Sequence, residues 1–411
     1  MRNNQLVKPS LPEGEVFKIT DFRDYSEFSP NLLIGKEIST VQMYISPLVN
    51  VSGSSQKAYF VNNRMFTYSS DKYIYEYKNY KFVKLEYSES APMLIPITFE
   101  GAEEILVVNS TESFILDKSQ NRCNVPMGSY FAHYDDRLFI AEGDKLYFGD
   151  KFDATTSSMD LFNFGSISAL YQSGKIMGLA TYENDLIVFC QYAIYVLHIS
   201  ADNDFSFTKC NTFMLNIKEK SVAKVGSEIF FMSNKKLYAY KNGKVEFVNP
   251  FFEEYLSDST QMAIAYNDYY AIPFTYNNSK YLYMLNAITK DAHIVSNMTG
   301  DPIGGKYFFN KGTRGVHQLS EENPKVLEWI SKTMDFGSYK NKVVSEIYVH
   351  STAYAWVYVY SDVGYRCFTI NEGKNYIRTK LQGKNFYFSI VPSYKNMSIK
   401  DLQIKYRILG D

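Results

Sequence analysis

A short apolar run, a polar or glycine-containing turn and a second apolar run, often with tyrosine, recur seven times along this chain. The copies begin with RMFTYSSDKYIYEYKN at Arg64, EILVVNSTESFILDKS at Glu104 and RLFIAEGDKLYFGDKFD at Arg137. They continue with DLIVFCQYAIYVLHIS at Asp185, EIFFMSNKKLYAYKNG at Glu228 and YYAIPFTYNNSKYLYMLN at Tyr269, and end with the weaker KYFFNKGTRGVHQL at Lys306. The starts are 40, 33, 48, 43, 41 and 37 residues apart. A period near 40 with several short strands per unit is the mark of a β-propeller.

The strands can be counted inside one unit. In 227–249, SEIFFM is a strand, SNKK a turn, LYAY a strand, and KNGKVEFV a second turn with a third strand. Asn242-Gly243 suits a type I′ turn, because both residues tolerate positive φ. Room remains for a fourth strand, the number in a propeller blade. A row of β-sandwiches would have a similar strand density, but one hairpin type returning seven times favours the propeller. The expectation is an all-β chain with about seven blades, six being possible. Closure requires the last blade to be completed from the other terminus. EISTVQMYIS (37–46) is the expected donor and 304–319 the acceptor.

The composition agrees. The sequence holds 36 Tyr and 30 Phe but 2 Trp, and large rings suit half-buried pleated surfaces. Apolar residues at 45% and charged residues at 21% are those of a folded chain. A net charge of −1 gives no steering toward DNA or anionic membrane. No apolar run reaches the roughly 18 residues of a transmembrane helix. The start MRNNQLVKPSLPEGE has no apolar core, so no secretory leader is expected. The four dispersed cysteines, without a C-x-x-C pair, fit a reducing cytosol.

After Asn323-Pro324 the period breaks. VVSEIYVH, AWVYVYSD, YRCFTI, NFYFSIVP and DLQIKYRI read as strands of a small β-sandwich. Val357 and Val359 alternate with Trp356, Tyr358 and Tyr360, as in a strand with two differently packed faces. Trp356 and Phe386 are the candidate core members. The expected organisation is an extended arm over 1–36, a propeller over 37–323 and a sandwich over 324–411.

Little in the sequence points to chemistry, and it nominates no catalytic, cofactor-binding or metal-binding residue. His133, His198, His293, His317 and His350 are isolated from one another, and His198 reads as a satisfied strand histidine. Asp135-Asp136 and Asp202-Asn203-Asp204 are acidic loop groups, but DNDF lacks the Gly and terminal Glu of a calcium loop. GKIMG (174–178) and GGK (304–306) lack phosphate-loop spacing and read as blade turns. Cys190 and Cys210 read as small buried hydrophobes. Lys72, Lys145, Lys236 and Lys280 recur before the second hairpin strand and read as solubilising charges that discourage edge pairing.

The order of segments is more informative. ITDFRDYSEFSPNLL precedes RLFIAEGDKLYFGDKFDATTSSMDLFNFG, then KIMGLATYENDLIVFCQYAIYVLHI, SVAKVGSEIFFMSNKKLYAYKNGKVEFV and EWISKTMDFGSYKNKVVSEIYVH. Across roughly 18–350 this resembles the propeller proteins of tailed-bacteriophage virions, the tail hub, nozzle or stabilisation proteins of short-tailed phages. The W-x-SK-x-x-DFG step, here Trp329, Ser331, Lys332, Asp335, Phe336 and Gly337, carries the resemblance most specifically.

The resemblance implies a non-enzymatic structural protein of the virion tail or neck, made in the host bacterial cytoplasm. It would form a homo-oligomeric ring, hexameric by the usual tail symmetry, around the DNA channel below the portal or adaptor. Its partners would be tail, adaptor or portal proteins, with no sequence-specific nucleic-acid contact, no membrane insertion and no cofactor. A receptor- or glycan-binding tail component is the alternative. A propeller hydrolase is a third, since carboxylates converging from different blades leave no local motif.

Overall fold

The computed structural model describes residues 14–26, 32–34, 38–40, 44–51, 55–99, 102–116, 122–151, 160–161, 173–200, 205–210, 216–234, 236–248, 262–296, 298, 300–320, 328–393 and 397–409. These form two compact units, one of 44–290 with 295–320, the other of 1–43, 291–294 and 321–411.

The larger unit is a β-propeller, with seven blades among the described residues. The first blade is an antiparallel meander of Ser55–Val61, Arg64–Ser69, Tyr73–Lys78 and Lys81–Tyr87, and the next four repeat that order. The sixth contributes Ile264–Tyr266, Tyr269–Tyr276 and Ser279–Asn286 to this unit. The seventh is Asp301–Gly304, Tyr307–Asn310 and Gly315–Ser320, completed by Tyr44–Asn50. There Asn50 lies opposite Gly315 and Ile45 opposite Leu319. The acceptor is the expected one. The donor is centred later, since Ile38–Thr40 pairs in the other unit.

The innermost strands show why this is a ring. Ser55–Val61 neighbours Met93–Phe99, which neighbours Tyr130–Tyr134, which neighbours Ile176–Tyr182. From the other side, Asp301–Gly304 neighbours both Ser55–Val61 and Ile264–Tyr266, and the latter adjoins Ala223–Val225. Gly178 closes the remaining gap against Val222, so near that an added Cβ would come within 3.0 Å of Val222 Cγ2.

Each second strand is buried on both faces, including all of Glu228–Ser233. That is why these strands read as unbroken apolar runs rather than as alternation. Between blades one and two lie Tyr59, Phe66, Ile105 and Phe114, and between three and four lie Phe139, Leu186, Val188 and Tyr195.

The turns explain the many asparagines. Positive φ occurs at Asn62 and Asn63 (48° and 55°), Asn242 and Gly243 (49° and 74°), and Asn277 and Asn278 (48° and 61°). Asn pays less than most residues for the left-handed region that a type I′ turn demands. Asp135 and Asp136 (50° and 56°) form the same kind of turn, joining Tyr130–Tyr134 to Arg137–Glu142.

The second unit is a β-sandwich. One sheet contains Lys342–Ser351, Gly373–Gly383 and Ser398–Ile408, and the other runs in the order Trp329–Ile330, Phe386–Pro392, Ala355–Ser361, Gly364–Ile370. Within the stretch expected as an extended arm, two described segments are paired strands. Glu15–Ile19 pairs with Ser398–Ile408, placing Phe17 opposite Ile404, and Leu32–Ile34 pairs with Ile38–Thr40 and with Ala292–Val295. Its Pro- and Ser-rich composition signals irregularity, but EVFKI gains a long-range edge that no local pattern announces.

Trp356 corrects a second expectation. It is half-buried, while Val357 and Val359 on the opposite face are fully buried. Phe386 is a core residue as expected, and the core tryptophan is Trp329.

Candidate functional site

The step that carries the phage resemblance is occupied by internal contacts. Trp329 Nε1 donates to Ser26 Oγ at 2.7 Å, and Ser26 Oγ donates to the Phe22 carbonyl at 2.6 Å. Phe22 meets the indole edge-on at 5.4 Å. Ser331 Oγ accepts from Phe388 N at 2.8 Å and donates to the Lys332 carbonyl at 2.9 Å. Asp335 Oδ1 accepts from Gly337 N, and Phe336 stacks on Tyr406 at 4.6 Å. These groups hold the N-terminal strand segment against the C-terminal sheets.

The residues singled out in sequence are dispersed. No group of three or more His, Cys, Asp or Glu among the described residues could hold a metal. His198 Nδ1 lies 2.8 Å from Asp185 Oδ1, its strand neighbour, so it is a satisfied strand histidine. Burial lowers the pKa of His133 and His317, and it takes that of the fully enclosed His293 down to about 4. His350 sits in Lys342–Ser351. Burial pushes the Cys190 and Cys210 thiols up to about 12, which makes them inert. Cys123 is half-buried and Cys367 exposed.

Asp202–Asp204 lie outside the described residues. Gly174 and Gly304 sit in or beside blade turns at φ 77° and 122°. Lys72 pairs with Glu89, Lys280 with Asp301 at 3.0 Å, and Lys236 lies over the Phe247 ring at 5.2 Å. Lys145 is exposed at its strand start.

Two surfaces could bind a partner. The first is the outer face of the sheet carrying Trp356. Register sets Tyr360 between Tyr387 and Tyr365, Tyr358 between Ser389 and Cys367, and Trp356 between Val391 and Thr369. Tyr360 and Tyr387 stack at 4.4 Å and 5°, Tyr360 and Tyr365 at 5.5 Å and 27°. Strands lie about 4.8 Å apart, so near-parallel rings at that spacing stand upright with their faces turned to one another. Solvent meets ring edges and phenol tips. The Cys367 thiol beside Tyr358 raises its pKa. Burial foremost, with Tyr387 and Glu328 nearby, raises that of Tyr360.

The second surface is a cleft of about 550 Å³ between the fourth and fifth blades, lined by Met177, Gln191, Asn216, Met232, Ser233 and Asn234 with Lys218 and Glu219. Its wall is the connection 216–221, strapped across both blades. Ile217 N donates to the Gln191 carbonyl at 2.7 Å, and Lys218 N donates to the Met232 carbonyl at 2.8 Å. Asn216 N donates to Ser233 Oγ at 2.8 Å, and Gln191 Nε2 donates to Asn216 Oδ1 at 3.3 Å.

The strap continues to the channel mouth. The Lys220 carbonyl accepts from Ala263 N at 2.8 Å, and that of Ser221 accepts from the Tyr270 hydroxyl at 2.9 Å. The charge of Lys220 reaches Lys57 on the first blade's innermost strand. Burial foremost, then Lys220, holds the Lys57 ammonium below its ordinary pKa. Burial and the nearby Glu219 push the Tyr130 phenol up to about 12.

The alternation of 355–361 announced the tyrosine face but not its stacking. The cleft had no sequence signal, because its walls come from blades packed side by side.

No family model and no curated protein matches this chain. Solved structures give distant likenesses. PorZ, an essential bacterial surface component of the type-IX secretion system of Porphyromonas gingivalis, is 12% identical over 80% of this chain, with a TM-score of 0.43. This chain spans 46% of that one. BamB from Moraxella catarrhalis is 10% identical over 75% of this chain and 98% of its own, with a TM-score of 0.43. The Pan2 WD40 domain of Neurospora crassa is 7% identical over 66% of this chain and 90% of its own, with a TM-score of 0.41. Likenesses this distant carry no argument about function.

Proposed function

We propose that the protein is a non-enzymatic structural component of a bacteriophage tail or neck, assembled as a homo-oligomeric ring, hexameric by tail symmetry, below the portal or adaptor. The upright tyrosine row on the sandwich is the observation that supports assembly by surface contact. Tyr buries a large rigid area at low entropic cost and keeps a polar tip, so it is enriched where proteins meet. The stacked rings spend their faces on one another, which suits a polypeptide partner better than a sugar lying flat on an aromatic face. A ring subunit uses a heterologous interface that closes, and a chain of net charge −1 repels its copies weakly. In this reading the propeller is the rigid block, and the sandwich face contacts its neighbours in the virion.

The test is a reconstruction of the intact particle. A sixfold or twelvefold ring of this chain around the DNA channel is expected. Copies confined to fibre tips would overturn the ring and favour the receptor-binding alternative.

A further inference from the structure

We propose that the outer face of the sheet containing Lys342–Ser351, Gly373–Gly383 and Ser398–Ile408 binds single-stranded nucleic acid, phosphates on its cations and an unpaired base on Tyr376. This surface is distinct from the tyrosine row and from the cleft. The proposal stands independently of the tail reading, because it rests on the sandwich's other sheet and is tested on the free chain.

Register and burial define the face. In Gly373–Gly383, Ile377, Thr379 and Leu381 are buried, so Lys374, Tyr376, Arg378 and Lys380 share the outer side. In Ser398–Ile408, Leu402, Ile404 and Tyr406 are buried, which turns Lys405 and Arg407 outward. Lys18, opposite Gln403, joins them. The carboxylates on this face are Glu346, opposite Arg378 and Lys405, and Asp401, opposite His350. Glu346 lies 3.8 Å from Lys405 Nζ, and Asp401 accepts from Gln403 Nε2 at 3.0 Å. Lys374, Arg378, Lys380 and Arg407 make no ion pair among the described residues. In the propeller, by contrast, Arg64, Arg122 and Lys241 each pair with a carboxylate. A chain of net charge −1 thus carries a local surplus of positive charge. Screening limits each charge to about 8 Å at physiological salt, so a polyanion meets this face and not the chain average.

The backbone supports the arrangement. Between the pairs Arg378↔Glu346 and Leu381↔Val344, Thr379 and Lys380 stand against Ser345 alone. Lys380 takes a φ of 55° in this β-bulge, a costly conformation for a residue with a side chain. Arg378 and Lys380 both stay exposed, on either side of buried Thr379. Neighbours in the row lie about 6–7 Å apart along the strand, comparable with successive phosphates of an extended chain.

Tyr376, between Lys374 and Arg378, is 79% exposed. It meets Tyr348 at 5.0 Å and 52°, and that tilt leaves a ring face open to solvent. The Tyr360 and Tyr387 rings, near-parallel at 4.4 Å, cover one another instead. An open ring flanked by cations suits the stacking of an unpaired base, whereas a duplex keeps its bases stacked on each other. A bilayer surface calls for a cluster of apolar anchors, which the outer side of Gly373–Gly383 lacks.

Fluorescence anisotropy of the full chain tests this with labelled oligothymidine of about 15 nucleotides and its duplex with oligoadenosine, beside co-sedimentation with phosphatidylserine vesicles. Oligothymidine should bind more tightly than the duplex. With about four phosphates neutralised, it should weaken about 50-fold between about 50 mM and about 200 mM salt. Lys374→Gln, Arg378→Gln and Lys380→Gln combined should weaken it about tenfold or more and flatten the salt slope, with the melting temperature retained. Tyr376→Leu should weaken it about fivefold or more with the slope unchanged. Lys81→Gln, Lys145→Gln and Lys244→Gln combined, at exposed propeller positions, should bind as wild type. Equal loss in that control, duplex binding as tight as the single strand, or undiminished binding by the folded sandwich variants overturns the proposal. So does vesicle binding without oligonucleotide binding, which would assign the face to a membrane, or no oligothymidine binding at about 100 μM chain in low salt.

Discussion

Trp329 offers the sharpest test of how the C-terminal unit is held together. The indole is 1% exposed, packs edge-on against the fully buried Phe22, and donates to Ser26 Oγ. Trp329→Ala removes a large enclosed side chain, which costs about 3–5 kcal/mol. At about 3–4 °C per kcal/mol for a unit this size, melting should fall by roughly 10–20 °C. A double-mutant cycle isolates the hydrogen bond. Trp329→Phe removes the donor, at about 1 kcal/mol for the bond plus a volume term. Ser26→Ala strands a buried N–H and also removes the donor to the Phe22 carbonyl, costing about 1–3 kcal/mol. Because both single variants break one bond, the double variant should lose about 1 kcal/mol less than the sum. Urea unfolding of the full chain is the assay. Both tryptophans, Trp329 and Trp356, lie in this unit, so fluorescence reports on it. A cycle additive within about 0.4 kcal/mol, or a Trp329→Ala variant melting with wild type, would refute the reasoning.

Replacing Tyr44–Asn50 with a Gly-Ser stretch of equal length opens the outer edge of Gly315–Ser320, which keeps only its pairing with Tyr307–Asn310, so the propeller should melt well below wild type; unchanged melting would place the seam elsewhere. His293 should make stability depend on pH, since burial lowers its pKa from 6.5 to about 4 in the folded chain. The unfolded chain then takes up the proton first, so stability is full above pH 6.5 and falls from there to about pH 4, by on the order of 3 kcal/mol. His293→Gln should flatten that part of the stability-against-pH curve, and an unchanged slope would assign it to other groups.

Local pattern determined a large part of this architecture. The strand pairs, their spacing and the Asn242-Gly243 turn were legible because side-chain alternation, continuous apolar runs and left-handed turn residues act over a few neighbouring positions. The two-faced character of 355–361 was legible for the same reason. Glu15–Ile19 and Tyr44–Asn50 were harder to assign, because strand propensity does not specify which distant edge a strand joins. Trp356 was expected in the core, but alternation says only that two faces differ, and packing made the valine face the inner one. Asp135-Asp136 read as an acidic loop, and only the φ angles of the folded chain show the tight hairpin turn it makes. The amide-lined cleft arises from residues far apart in sequence on neighbouring blades. The period of the sequence set the blades, and ring closure in three dimensions brought those side chains together.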